Sequence, residues 1–247
     1  MLENFKKAIF RVLCLCCVLI GGGGLMAEPN PEELVDLGML SYDKQDFSKA
    51  RKYFERACGL NNGRGCNNLG VLYRDGQGVE KNLTKAAQFY SKACDLNNGS
   101  GCSGLGFLYG SGEGVKQDSK KAVALYEKSC DLNNGLGCFN AGISYEYGRG
   151  VENNSEKATQ FYSKACDLNN NKGCFNLGEL YLEKDSKKAV ALFEKSCDLN
   201  ISRGCGALGG LYYNGDGVKQ DSKKAAALFE KACKLGDQKA CEALKEK

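Results

Sequence analysis

Twelve cysteines fall into six pairs whose partners are eight positions apart: Cys58/Cys66, Cys94/Cys102, Cys130/Cys138, Cys166/Cys174, Cys197/Cys205 and Cys233/Cys241. The first members of successive pairs are 36, 36, 36, 31 and 36 residues apart. A fixed period in this range marks a stacked array, because one such unit is too small to bury its own apolar face and must lean on its neighbours.

Within one period the pattern predicts two helices and two loops. After Cys102, residues Leu105, Gly106, Leu108 and Tyr109 make an apolar stripe at helical spacing, termed here helix A. The segment Gly112-Glu113-Gly114-Val115 breaks it, since glycines so close together favour a turn with unusual backbone angles. Asp118 or Ser119 then caps a second helix, helix B, with Ala122, Leu125, Tyr126 and Ser129 on one face and Lys120, Lys121 and Lys128 toward water. The loop Asp131-Leu132-Asn133-Asn134-Gly135 ends helix B and leads to the next helix A. Helix A carries glycine at the same place in five repeats (Gly70, Gly106, Gly142, Gly178 and Gly209), although an interior glycine costs a helix about 1 kcal/mol relative to alanine. Close packing against the small residues Ala86, Ala122, Ala158, Ala189 and Ala225 of helix B is the expected offset.

The chain opens with Lys6, Lys7 and Arg11, an apolar run from Ala8 to Ile20, four glycines and Leu25-Met26-Ala27. This reads as a secretory signal peptide over residues 1–27, cleaved after Ala27, and the run is short for a membrane span. The product is expected to be secreted or periplasmic, with no membrane segment after cleavage. Cleavage takes three of the 15 cysteines and leaves the 12 paired ones, an even set typical of an exported disulfide framework. Two connectivities fit: each eight-residue pair joins the end of helix B to the next helix A, or Cys66 joins Cys94 across a hairpin mouth and so on along the chain. The first is favoured because the second orphans Cys58 and Cys241.

Several functions fall away on composition. Cys-x7-Cys is the wrong spacing for a zinc ribbon and the chain has no histidine, so neither a metal nor a cofactor is expected. After cleavage 31 basic residues face 29 acidic ones, and the lysines recur on the outer side of helix B as a solvated face, so nucleic acid is not an expected partner. Residues 28–247 are expected to form one monomeric repeat domain: a capping hairpin over 31–58, disulfide-bearing repeats over 59–240, and a capping helix over 241–247. In the fifth hairpin Leu180-Tyr181-Leu182-Glu183-Lys184-Asp185 replaces a turn five residues longer.

The motifs Leu-Gly-x-Leu-Tyr, Gly-x-Gly-Val, Asp-x-x-Lys-Ala and Ala-Cys resemble the Sel-like repeat, a relative of the tetratricopeptide repeat. With the Cys-x7-Cys pairs and Asp-Leu-Asn-Asn loops, the chain from residue 28 onward is similar to the Helicobacter cysteine-rich proteins (Hcp). The resemblance implies an all-α fold, an α/α solenoid of about six helix-turn-helix repeats in a right-handed superhelix. It also implies disulfides within each eight-residue pair, penicillin binding, slow β-lactamase activity and recognition by the host immune system.

The residues give the enzymatic implication little of its usual machinery. A serine β-lactamase uses Ser-x-x-Lys, Ser-Asp-Asn and Lys-Thr-Gly segments; only Ser41-Tyr42-Asp43-Lys44 matches the first, which makes Ser41 and Lys44 the sole candidate catalytic pair. Binding residues are sought instead where helix A varies among this chain's own repeats, at the first, second and fifth positions after the cysteine: Asn67/Asn68/Val71, Ser103/Gly104/Phe107, Phe139/Asn140/Ile143, Phe175/Asn176/Glu179 and Gly206/Ala207/Gly210. Helix A lines the concave side of such solenoids. Asn68, Asn140 and Asn176 share one position and could form an amide ladder for a peptide backbone, or be polar filler. Phe139, Phe175 and Tyr147 could anchor apolar groups, the two phenylalanines belonging alternatively to the core, while Arg74 and Arg149 could meet a carboxylate. The expected ligands are β-lactams or cell-wall-like peptides, or an extended peptide or protein segment in the concave groove.

Overall fold

The computed structural model describes residues 28–245; the leader read over 1–27 and the last two residues of the C-terminal cap lie outside them. The described residues hold thirteen helices and no strand. Helices α1 (Pro31–Asp43) and α2 (Phe47–Gly59) form the capping hairpin. Five further hairpins follow: α3 (Gly63–Asp75) with α4 (Leu83–Asp95), α5 (Gly99–Ser111) with α6 (Ser119–Asp131), α7 (Gly135–Tyr147) with α8 (Ser155–Asp167), α9 (Asn171–Tyr181) with α10 (Ser186–Asp198), and α11 (Ser202–Asn214) with α12 (Ser222–Lys234). The last described helix is the short α13 (Gln238–Ala243), which begins earlier than the 241–247 expected because, like each A helix from α3 onward, it starts three residues before its cysteine.

Four of the loops between hairpins fix two caps with two asparagines. In Asp131-Leu132-Asn133-Asn134, Asn133 takes a left-handed φ of 57° that ends α6, and Asn134 accepts the Gly137 N–H to begin α7. Asn97/Asn98 and Asn169/Asn170 do the same, whereas α11 begins at Ile201 with no side-chain cap bond. Asp118 caps α6. The Gly-x-Gly turns have both glycines at positive φ, 76° at Gly112 and 72° at Gly114. The second glycine of each turn also lies on the start of the preceding B helix: a side-chain carbon at Gly114 would fall 2.4 Å from the Leu83 backbone, and one at Gly150 2.3 Å from that of Ser119.

All six eight-residue pairs are disulfide-bonded: Cys58–Cys66, Cys94–Cys102, Cys130–Cys138, Cys166–Cys174, Cys197–Cys205 and Cys233–Cys241, with Cα atoms 4.4–4.8 Å apart. Each bond ties the last turn of one B helix to the first turn of the next A helix. The A-helix partners Cys66, Cys102, Cys138, Cys174 and Cys205 are wholly buried, at 0 % exposure. These sulfurs therefore belong to the core between hairpins rather than to a surface that a ligand could reach, because the first turn of each A helix is covered by the B helix it is clipped to. Cys174 and Cys205 hold the two ends of the clipped fifth hairpin in this way, one at the start of α9 and the other at the start of α11.

The nearest neighbour of the helix A glycine is an aromatic ring of helix B rather than the small residue expected, although the Ala122 carbonyl also lies 3.2 Å from the Gly106 position. A side-chain carbon at Gly70 would lie 2.5 Å from the Tyr90 ring, at Gly106 2.7 Å from Tyr126, at Gly142 2.6 Å from Tyr162, and at Gly178 and Gly209 2.7 and 2.9 Å from Phe193 and Phe229. Gly38 and Phe54 repeat the contact in the cap. The alanine sits one turn before the ring, so the ring lies flat on the glycine; this packing of large against absent offsets the helix penalty. Small does face small one turn earlier, where Gly65, Gly101 and Gly173 meet Ala57, Ala93 and Ala165.

Candidate functional site

Successive A helices approach one another more closely than successive B helices do, which places the A layer on the inside of the curve. The groove floor is therefore made of the residues that each A helix does not spend on packing. Asn68, Asn140 and Asn176 are each half-buried on that layer, at one register on α3, α7 and α9, with Gly104 interrupting the row on α5 and Ala207 ending it on α11. The Asn68 amide donates to the Met39 sulfur at 3.5 Å and its oxygen accepts from Asn67 at 3.3 Å. Tyr147 stands two helical turns beyond Asn140 on the same face of α7, 61 % exposed, with the Arg149 guanidinium 5.3 Å from its ring centre. Phe107 is 50 % exposed on α5.

The two phenylalanines offered as anchors are core residues. Phe139 and Phe175 are 9 % and 7 % exposed and lie against the rings of Tyr162 and Phe193, at 6.0 and 5.7 Å between centres. Arg74 is not a free cation: its Nε and one Nη donate to the two Asp75 oxygens at 2.7 and 2.8 Å. That bidentate pair holds the Asp75 carboxyl below its ordinary pKa, because Arg74 stabilises the charged form. Ser41 is buried and its hydroxyl donates to the Leu37 carbonyl at 2.9 Å, the back-bond of a helical serine, while Lys44 is exposed at the C-cap of α1.

One functional feature escaped the sequence. The tyrosines that press on the A-helix glycines carry their hydroxyls to the groove layer. Tyr162 donates to Glu146 of α7, and the Asn176 amide of α9 faces the same oxygen. Burial raises the Tyr162 pKa, the Glu146 carboxylate raises it further, and Asn176 opposes both. Tyr90 is 1 % exposed and its hydroxyl has no partner among the described residues; burial pushes its pKa up to about 12. Tyr126 is likewise pushed to about 12 by burial, and a side-chain carbon at Gly110 would lie 3.6 Å from its oxygen. The available signal was the tyrosine of three successive repeats, Tyr90, Tyr126 and Tyr162, at the B-helix position that Phe54, Phe193 and Phe229 fill in the others, which an apolar stripe alone does not interpret.

Stacked helical hairpins with a variable inner face define an α/α repeat scaffold. The Sel1 repeat family matches residues 63–98, 99–134, 135–170, 172–201 and 202–237, and a tetratricopeptide repeat matches 34–64; the chain belongs to the Sel1 repeat family. About a third of the chain is similar in sequence to Helicobacter cysteine-rich proteins. HcpC of Helicobacter pylori is 63 % identical over 83 residues, covering 34 % of this chain and 28 % of that protein. Beta-lactamase HcpA of the same species is 51 % identical over 83 residues, covering 34 % and 32 %. The matched segments thus span about a third of each relative's length. A Sel1 repeat protein from Oxalobacter formigenes shares the fold across 85 % of this chain and 86 % of its own, with a TM-score of 0.77 and 27 % identity.

Proposed function

We propose that the chain is an exported, disulfide-clipped scaffold that holds an extended peptide or protein segment on its concave A-helix face. The observation that carries this reading is the division of labour along helix A. Glycine, leucine and cysteine positions are consumed by packing, while Asn68, Asn140, Phe107 and Tyr147 remain accessible on the inner layer. Amides there can pair with both N–H and C=O of a backbone, and exposed rings supply apolar contact. Panning a random displayed-peptide library against the oxidised protein, then measuring hits by fluorescence anisotropy, tests it. Replacing Asn68, Asn140 and Asn176 together with alanine is expected to weaken those peptides at least tenfold; unchanged affinity places the site elsewhere.

A second reading follows from the name of HcpA, that β-lactams bind and are slowly opened. Ser41 and Lys44 are its candidates within this chain by their Ser-x-x-Lys spacing, and acylation there would require the Ser41 hydroxyl to leave the Leu37 carbonyl for a base. Incubation with a fluorescent penicillin followed by denaturation distinguishes the two: retained label on Ser41, lost in Ser41→Ala and Lys44→Ala, supports an acyl-enzyme. Label lost on denaturation leaves the scaffold alone.

A further inference from the structure

The fifth residue after the N-cap of each B helix stands at the seam with the unit that follows. On α4, α6, α8, α10 and α12 it is Ala87, Val123, Thr159, Val190 and Ala226. Val123 shares a core cluster with Tyr145 and Val151 of the next hairpin, and Val190 shares one with Tyr212 and Val218. On α2 the same position holds Arg51, beside Tyr73 and Val79 of the next hairpin. A cation thus replaces the small uncharged side chain of every other repeat. The seam there is open: Arg51, Tyr73, Val79, Glu80, Asn82 and Lys85 line a cavity of about 210 Å³.

Both cations of this cavity lack an acceptor. Among the described residues Arg51 Nε is buried with no hydrogen-bond partner, and the Glu55 carboxylate of its own helix stands 3.7 Å away, beyond hydrogen-bond reach. The Arg51 side chain is 34 % exposed, so the guanidinium is not sealed from the cavity it lines. Lys85 lies 5.3 Å from the Tyr73 ring centre, whereas Lys121, Lys157, Lys188 and Lys224 lie 4.0–4.7 Å from the rings of Tyr109, Tyr145, Tyr181 and Tyr212. Three of those lysines also donate to the phenol oxygen, at 2.7, 3.3 and 2.6 Å for Lys121, Lys157 and Lys224. The Lys85 ammonium has no hydrogen bond and no ion pair among the described residues. Glu80 is the one carboxylate on the lining, and it is exposed and paired with neither cation. A buried N–H with no acceptor is costly, and a carboxylate is the acceptor that a guanidinium and an ammonium bind most strongly.

We propose that this cavity is a carboxylate-binding site at the seam between the capping hairpin and the α3–α4 hairpin. The ligand's carboxylate accepts from Arg51 Nε and the Lys85 ammonium, and its carbon substituent lies against Val79 and the Tyr73 ring. A small organic acid and the carboxyl terminus of a peptide both carry this chemistry. The two cations belong to B helices, so the site stands apart from Asn68, Asn140 and Asn176 and does not rest on the peptide-binding reading of the A-helix groove.

The test follows the Arg51 Nε–Hε signal in oxidised protein labelled with nitrogen-15 arginine, with three probes: propionate, its neutral isostere propionamide, and N-acetyl-Ala-Ala with a free carboxyl terminus. Propionate is expected to move the signal downfield saturably as Hε gains an acceptor, and propionamide to bind at least about tenfold more weakly. A larger response to the dipeptide assigns the site to a peptide end, and a response to propionate alone assigns it to a free small acid. Lys85→Gln is expected to weaken propionate without affecting propionamide. Glu80→Gln removes a competing carboxylate and is expected to tighten propionate. Arg51→Val rebuilds the apolar seam of Val123 and Val190; it is expected to raise the thermal midpoint and to abolish propionate binding, read from the line width of the ligand itself. Equal binding of propionate and propionamide, or undiminished binding to Arg51→Val, overturns the site. Silence of Arg51 toward both acids also overturns it, as does binding confined to Glu80→Gln, which would show that Glu80 fills the cavity in the native protein.

Discussion

Tyr90 and Tyr162 occupy the same place in two repeats, press on equivalent glycines and are almost equally buried, yet their hydroxyls have opposite circumstances. Tyr162 has Glu146, whereas Tyr90 has no partner among the described residues. Deleting a satisfied buried hydroxyl costs about 1–2 kcal/mol and strands its partner, whereas deleting an unsatisfied one is neutral or stabilising. Tyr162→Phe is therefore expected to lower the stability of the oxidised protein and Tyr90→Phe to leave it unchanged or raise it, as read from urea midpoints at constant slope. Equal losses in both variants would mean that Tyr90 has a partner after all. The sequence showed these tyrosines only as members of an apolar stripe. Whether a hydroxyl is paired depends on the eighth residue after the cysteine of one A helix and the second after the cysteine of the next, which are 30 positions apart for Arg74 and Gly104.

At the scale of the element, the disulfide acts as a cap shared by two helices. The bond closes a loop with a sequence separation of eight between the last turn of α6 and the first turn of α7, where Asn133 and Asn134 already satisfy the helix ends. In the chain-entropy account, so small a ring contributes about 2–3 kcal/mol. Replacing Cys130 and Cys138 together with alanine is expected to cost about that much, measured by chemical denaturation, with helix content by circular dichroism retained because the asparagine caps persist. Loss of helicity would show that the bond, not the caps, fixes the turn. The pairing itself was half legible: spacing left two connectivities, and the short Cα separation between helix ends that decided it is a property of the folded loop.

Across the whole molecule the array is stitched by turns as well as by helices. Each Gly-x-Gly turn lies on the backbone starting the preceding B helix: Gly78 on Phe47, Gly114 on Leu83, Gly150 on Ser119 and Gly217 on Ser186. The clipped connection after α9 has no such glycine, so the turn that would lie on α8 is missing, and Tyr181 supplies apolar contact to the cluster that holds Ala158 and Tyr162 of α8. In a nearest-neighbour array, a weak seam is where opening begins. Hydrogen exchange is expected to be fastest, among the interior units, in α8 and α9 on either side of this seam. Uniform protection across the units would show that Tyr181 compensates fully.

The sequence by itself determined the period, the two-helix unit, the caps, the clipped fifth hairpin and the set of paired cysteines, because each of these is written locally in residues a few positions apart. It also located the variable face of helix A. Tertiary structure alone decided what the A-helix glycine meets, that Phe139 and Phe175 belong to the core, that Arg74 is held by Asp75, and which tyrosine hydroxyl lacks an acceptor. Those outcomes depend on the distance and rotation between hairpins, quantities set by the packing of rings on glycines rather than by any short run of residues.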